Sequence, residues 1–345
     1  MKIVVTGGAG FIGSHVAEFY ASKDNEVMVF DNLSRAELLK KDVKNIEHNW
    51  NFMKKFKNIR LIKGDVRHLK EIENATKDAD VIIHAAAQTA VTVSVQDPRS
   101  DFEVNALGTF NALEAARRND VKTFIYCSTN KVYGENVNNV KVIKQKLRYV
   151  FDKKYEDGIP EYFPTDLCEH SPYGCSKLTG DLYTQDYGKL YGIKTGIFRM
   201  SCIYGTRQFG VEDQGWVAWF TIASVLNKWI TIYGDGKQVR DVLYVTDLVG
   251  LYDKFLKSNL KHVVVNTGGG PENTLSLLEL LKILEEMTGK RMSIKYANWR
   301  PSDQKVYISD ITKTKKLLNW QPEIKPLDGV RKLFEWVKKN KNLFV

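Results

Sequence analysis

The stretch "VVTGGAGFIGSH", residues 4–15, sets Gly7, Gly10 and Gly13 between an apolar run and the start of a helical pattern. Glycines at this spacing permit a tight turn and let backbone approach a diphosphate closely. The following helix, opening at Phe11 and Ile12, offers free N–H donors and the positive end of its dipole. Eighteen residues beyond Gly13, Asp31 closes the next apolar run, followed by Asn32. A carboxylate there is placed to accept hydrogen bonds from the ribose hydroxyls of an adenosine. The plain alternative is a glycine-rich turn without a ligand. Asp31 decides against it and favours NAD over NADP, because a carboxylate repels a 2′-phosphate; Arg35 nearby works the other way. Asp65, in "KGDVR" with Val66, suits the adenine edge and serves equally as a turn former.

Working outward, "KIVVTG", "EVMVFD", "IRLIKGD", "DVIIHAA" and "KTFIYCS" are apolar blocks too short for helices, and "KTGIFRM" (194–200) is a sixth. Helical patterns such as 105–120 lie between several of them. Buried strands alternating with helices predict an α/β fold: a doubly wound, Rossmann-type parallel sheet. This domain is expected over 1–200, interrupted by a lysine-rich insertion at 35–58 and a long polar connection at 135–165. The second connection is read as a cover over a site or as an external excursion with some helix. Residues 201–345, with turns at "YGDGKQ" and "TGGGPEN", are expected to form a smaller α/β substrate-binding domain that returns some segments to the first. Ser276 and Glu279 predict a capping box at the head of a helix.

A chain of 345 residues, 43% apolar and 27% charged, has the composition of a globular protein. Its net charge of +10 is spread along the chain, with no basic run interleaved with aromatics, so a nucleic-acid partner is not expected. Cys127, Cys168, Cys175 and Cys202 show neither C-x-x-C nor metal-ligand spacing, which predicts no metal and apolar filler thiols in a reducing compartment. No apolar run approaches the roughly 18 residues of a membrane span, and the head of the chain holds no signal peptide pattern. A cytoplasmic protein without a membrane partner is expected.

In "SPYGCSK", 171–177, Tyr173 and Lys177 stand four residues apart, on one face of a helix. Alone, the spacing reads equally as a surface pair. "TGGAGFIG", "HAAAQ", "STNKVYG" and "SPYGCSK", in this order, resemble the extended short-chain dehydrogenase/reductase family of nucleotide-sugar enzymes over essentially the whole chain. The resemblance implies that Tyr173 is the acid/base for a sugar hydroxyl. It also implies that Lys177 binds the nicotinamide ribose and lowers the phenol's pKa from near ~10, and that Thr129 hydrogen-bonds the reacting oxygen. It implies NAD contacts at Gly7, Gly10, Phe11, Ile12 and Gly13, and at Asp31, Asn32, Asp65 and Val66. Further contacts are implied at Ala85, Ala86, Ala87 and Gln88, and at Asn105, Ser128, Tyr173 and Lys177.

Family 4,6-dehydratases carry Asp-Glu after the Thr129 position; here Asn130 and Lys131 stand there, so dehydration is not expected. "YGTRQFGVEDQGWVAWF", "YGDGKQVRDVL" and "RPSDQKVY" are similar to the CDP-paratose 2-epimerase (CDP-tyvelose epimerase) subgroup, with a UDP-hexose 4-epimerase as the alternative. That likeness implies a CDP- or UDP-linked sugar held by Arg240, Arg300 and Asp303, with Asn130, Arg207, Gln208, Gln214 and Trp216 on the substrate side. The plain alternatives are an Arg240–Asp241 ion pair, an exposed Arg300 and a core Trp216. Met200 and Cys202 in "FRMSCIYG" depart from the subgroup's histidine and serine and leave the sugar open. A non-catalytic NAD- or RNA-binding member is a remote alternative, disfavoured by the intact Thr129, Tyr173 and Lys177. Homodimers or tetramers are implied by resemblance only.

Overall fold

All six apolar runs form strands in the computed structural model, which describes residues 1–35, 37, 46–300 and 303–344. They are β1 (Lys2–Thr6), β2 (Glu26–Asp31), β3 (Ile59–Lys63), β4 (Val81–His84), β5 (Thr123–Thr129) and β6 (Lys194–Met200), joined by β7 (His262–Thr267). The seven-stranded sheet has the order β7-β6-β5-β4-β1-β2-β3. Val4 pairs in parallel with Met28 on one side and with Ile82 on the other, so the chain reverses its direction of travel across the sheet at β1. Ligands of doubly wound sheets bind at that switch point, outside the carboxyl ends of the strands.

Continuous apolar runs suit strands covered on both faces. Ile3, Ile82, Ile83, Phe124 and Ile125 are fully buried, and one face packs Leu113, Phe124 and Tyr126 together. Truncating Phe124 to Ala would cost about 3–5 kcal/mol through lost burial and the cavity left behind.

Five helices and one π-helical turn position the site. Helix α1 (Phe11–Ala21) starts on Gly10. Helices α2 (Val91–Gln96) and α3 (Pro98–Phe102) precede a π-helical turn, Glu103–Leu107, that runs into α4 (Gly108–Arg118). The helix expected over 105–120 therefore begins inside a wider turn, which carries Asn105 fully buried. Helix α5 (Pro172–Tyr191) is capped by the Ser171 hydroxyl, which accepts from Gly174 N at 3.2 Å, and closes on Gly192 at φ 69°.

One compact unit comprises residues 1–132, 171–199 and 249–265, and a second comprises 133–170, 200–248 and 266–345. In the second, the strand Val239–Tyr244 pairs with Thr274–Ser276, Val306–Tyr307 and Cys202–Tyr204. Ile230–Tyr233 pairs in parallel with Ile294–Ala297. The capping box forms as read: Ser276 accepts from Glu279 N, and Glu279 accepts from Ser276 N. Within the long polar connection, Val142–Lys144 and Tyr149–Phe151 make a hairpin. Arg148 fastens it through Glu279 at 2.5 Å.

Two expectations need correcting. Part of the 35–58 insertion, 36 and 38–45, lies outside the described residues; its remaining helix, Ile46–Met53, is not merely superficial, because Asn49 and Met53 are buried. Of the four thiols, Cys175 is exposed rather than an apolar filler, because it points away from the core face of α5.

Candidate active site

The glycine turn is built for close approach. Gly7 adopts φ 64°, and a Cβ there would meet the Ala86 backbone at 2.6 Å. A Cβ on Gly13 would run into the Gly7 carbonyl. Gly10 N donates to Gly7 O at 3.0 Å, which turns the chain into α1. The Asp31 carboxylate accepts from Ala9 N (2.9 Å) and Leu33 N (2.8 Å), which fixes it at the end of β2. Burial raises its pKa, against those two backbone donors. Each carboxylate oxygen retains capacity for a second donor, the bond a ribose hydroxyl makes. The cradle therefore fits an adenosine dinucleotide.

Asp65 lies just beyond β3. Burial pushes its carboxyl up, but the Arg67 fork (2.7 Å), with Asn32 at 2.9 Å, holds it down at about 2. Asn49 Nδ2 reaches the Gly10 carbonyl at 3.4 Å. Neither Arg67 nor Asn49 was singled out in the sequence. Arg67 carried a signal, standing two residues after Asp65 in "KGDVR", whereas Asn49 had none. Ala85 N and Ala86 N donate to Thr6, at 3.1 Å to its carbonyl and 3.3 Å to its hydroxyl. Val66 is buried in the core face and Ala87 follows β4.

Thr129 ends β5, and its hydroxyl lies beside the Tyr173 phenol on α5 and favours the ionised form of that phenol. It also approaches Asn130 Oδ1 at 3.3 Å. Tyr173 N donates to Ser94 Oγ of α2 at 3.2 Å, an anchor no local pattern announced. Burial pushes the phenol up to about 12, opposed by the Thr129 hydroxyl. Lys177 is 3% exposed, which excludes the surface-pair reading. Burial lowers its ammonium to about 8, with Cys127, Asp101 and Asp181 opposing. Ser128 donates to Asp181 at 2.6 Å, and Asp181 is paired with Arg199 at 3.0 Å. Gln88 N donates to Asn105 Oδ1 at 2.9 Å, and Asn105 Nδ2 returns to Gln88 O at 3.0 Å.

In the second unit Arg240, Arg300, Asp303 and Trp216 line one cavity of about 150 Å³, with Phe220, Tyr233 and Gln238. Arg240 pairs with Asp303 at 2.8 Å, not with Asp241, and its other nitrogen donates to Gln304 O at 2.6 Å. Arg300 is not a free surface side chain: it pairs with Asp213 at 3.0 Å, and its guanidinium lies 3.9 Å over the Tyr233 ring. Two guanidinium forks on one aromatic-walled cavity suit a diphosphate. Arg207, at φ 59°, and Gln208 are buried, and Gln214 closes a tight loop with Val211 at 3.0 Å. Burial pushes the Cys202 thiol up to about 12, and Trp216 and Arg240, which line the cavity, stand beside it.

Residues 3–268 match the NAD dependent epimerase/dehydratase family. The chain is 40% identical to the CDP-paratose 2-epimerase of Salmonella typhi, covering 97% of this chain and 99% of the relative. It is 33% identical to a putative UDP-glucose 4-epimerase of Methanocaldococcus jannaschii, over 98% and 99%. The crystal structure of UDP-glucose 4-epimerase from Thermotoga maritima with UDP-glucose aligns at a TM-score of 0.80 and 30% identity, over 99% and 100%. The UDP-glucuronic acid 4-epimerase of Bacillus cereus, in complex with UDP-glucuronic acid and NAD, aligns at 0.81 and 27%, over 98% and 99%.

Proposed function

The chain belongs to the NAD-dependent epimerase/dehydratase family, and from that premise we propose that it inverts carbon 2 of a CDP-linked sugar, in the manner of a CDP-paratose 2-epimerase. The observation that carries this reading is the Thr129–Tyr173–Lys177 set, followed by Asn130 and Lys131 instead of an acid pair. Such a set handles one alcohol proton and has no second acid to expel water.

Bound NAD supplies a two-electron acceptor that removes hydrogen from the sugar carbon and can return it. Gly7, Gly10, Gly13 and Asp31 hold its adenosine diphosphate end. Tyr173 Oη takes the hydroxyl proton, and Thr129 Oγ1 steers the same oxygen. A phenol near 12 gives up its proton only with help, about 1.4 kcal/mol for each pH unit of lowering. The Lys177 ammonium and the cationic ring of the oxidised cofactor provide it. Arg240 and Arg300 grip the diphosphate, and a sugar released by its ring atoms turns its other face.

A second reading, UDP-hexose 4-epimerase, is favoured by the solved relatives that carry UDP-sugars. Turnover assays with CDP-paratose and UDP-glucose separate the two: inversion of the CDP-sugar at carbon 2 supports the proposal, and inversion of only the UDP-sugar at carbon 4 replaces it. Mass spectrometry of ligands released from the purified protein identifies the nucleotide independently.

A homo-oligomer in the cytoplasm completes the proposal. Leu182, Tyr183, Leu190 and Tyr191 leave an apolar stripe exposed on α5, and none of the four thiols is joined in a disulfide.

A further inference from the structure

Behind the catalytic helix lies a carboxylate that the reaction as drawn does not use. Asp101 of α3 is 0% exposed. Three neutral donors converge on it: Ser176 Oγ at 2.5 Å, Gln88 Nε2 at 2.9 Å and Asn105 Nδ2 at 3.0 Å. A site filled by donors suits the ionised, acceptor-only form of a carboxyl group. Burial raises its pKa, but Ser176, Gln88 and the Lys177 charge oppose that.

Ser176 stands on α5 directly before Lys177 and one turn after Tyr173, with its hydroxyl also 3.1 Å from the Tyr173 carbonyl. The charged and titratable groups facing Lys177 are Tyr126 and Cys127 of β5, His84 of β4, Tyr173 and Asp181 of its own helix, and Asp101. His84 is neutral, because burial and the Lys177 cation hold it down to about 3. Burial pushes Cys127 up, so it too is neutral at pH 7. Asp181 already carries the Arg199 guanidinium at 3.0 Å. Asp101 carries only neutral donors; its charge favours the Lys177 ammonium and also opposes ionisation of the Tyr173 phenol.

We propose that Asp101 is a positioning residue: it ties the α5 turn bearing Tyr173 and Lys177 to the π-helical turn, and supplies the buried negative charge that keeps Lys177 protonated. The inference rests on the roles given to Tyr173 and Lys177 above. Of its three partners only Asn105 lies within "DPRSDFEVN"; Gln88 and Ser176 come from distant positions, so the stretch alone does not announce the role.

Two variants separate anchor from charge. Asp101→Asn keeps the shape and removes the charge. Its kcat should fall at least about tenfold with KM within about twofold, and the alkaline limb of kcat should move down by about one pH unit. Ser176→Ala removes the anchor and keeps the charge; kcat should fall about threefold with the limb in place. Titrations of stripped protein with NAD at pH 7 and pH 9 give a readout that needs no sugar. Asp101→Asn should lose affinity more steeply than wild type between the two. Wild-type kcat and limb in Asp101→Asn overturn the proposal, and so does a lower kcat with an unmoved limb, which is a merely structural effect. If Asp101→Asn does not fold, wild-type kcat in Ser176→Ala overturns it. Wild-type protein that turns over neither sugar refutes the proposed function instead, and the NAD titrations alone then decide on Asp101.

Discussion

Lys177 Nζ lies 4.3 Å over the centroid of the Tyr126 ring, and the Tyr126 hydroxyl donates to the Lys177 carbonyl at 3.1 Å. One β5 side chain thus holds both ends of the residue expected to activate Tyr173. A desolvated cation–π contact contributes about 2 kcal/mol. Tyr126→Leu should therefore lower kcat about 10- to 30-fold. Gly180→Ala should act in the same direction, because a Cβ there runs into the Tyr126 hydroxyl. Steady-state rates within twofold of wild type in both variants would contradict this role.

Tyr173→Phe should lose at least ~100-fold in turnover while NAD stays bound, since only the proton-accepting oxygen is removed. Retained activity together with retained NAD would remove Tyr173 from the mechanism.

Asp31→Ala should weaken NAD binding more than NADP binding, because the carboxylate, held by Ala9 N and Leu33 N, favours ribose hydroxyls over a 2′-phosphate. Titration of the stripped protein with both dinucleotides checks this. An unchanged NAD to NADP ratio would mean that Arg35 sets the preference.

Asp241 gives a pH prediction for the second unit. It is fully buried, accepts from Ser201 Oγ and from Gly270 N at 3.2 Å, and burial raises its pKa to about 6. Its folded pKa lies above the unfolded value of 3.8, so its contribution to stability is complete below 3.8 and is lost as pH rises through about 6. The loss amounts to about 3 kcal/mol. Asp241→Asn lacks this dependence. Relative to wild type, its stability in urea should therefore improve by about 2 kcal/mol between pH 4 and pH 7, whatever its stability at either end. A constant difference across that range would show that Asp241 does not titrate there.

The parts of the site that one short segment carries were legible in the sequence. Gly7, Gly10, Gly13 and Asp31 announce a strand, a turn and a second strand, and Tyr173 with Lys177 announces a helix face. Residues whose roles arise from pairing distant segments were not. Ser94 holds Tyr173 N from 79 positions away, and Asp101 reaches Ser176 across 75. The same limit bears on Arg240: an ion pair with its neighbour Asp241 was the plain alternative, but in a strand successive side chains point to opposite faces. Arg240 therefore meets Asp303, while Asp241 turns into the core.

The central claim is that carbon 2 is inverted by removing and returning the same hydrogen, with Tyr173 handling only the hydroxyl proton. The direct measurement is the fate of deuterium placed at carbon 2 of CDP-paratose, followed by NMR during turnover in ordinary water. The account predicts that the epimerised product keeps its deuterium at carbon 2, and that unlabelled substrate gains none there in heavy water. Wash-out or wash-in at carbon 2 would contradict it, because it would mean that the hydrogen leaves as an exchangeable proton.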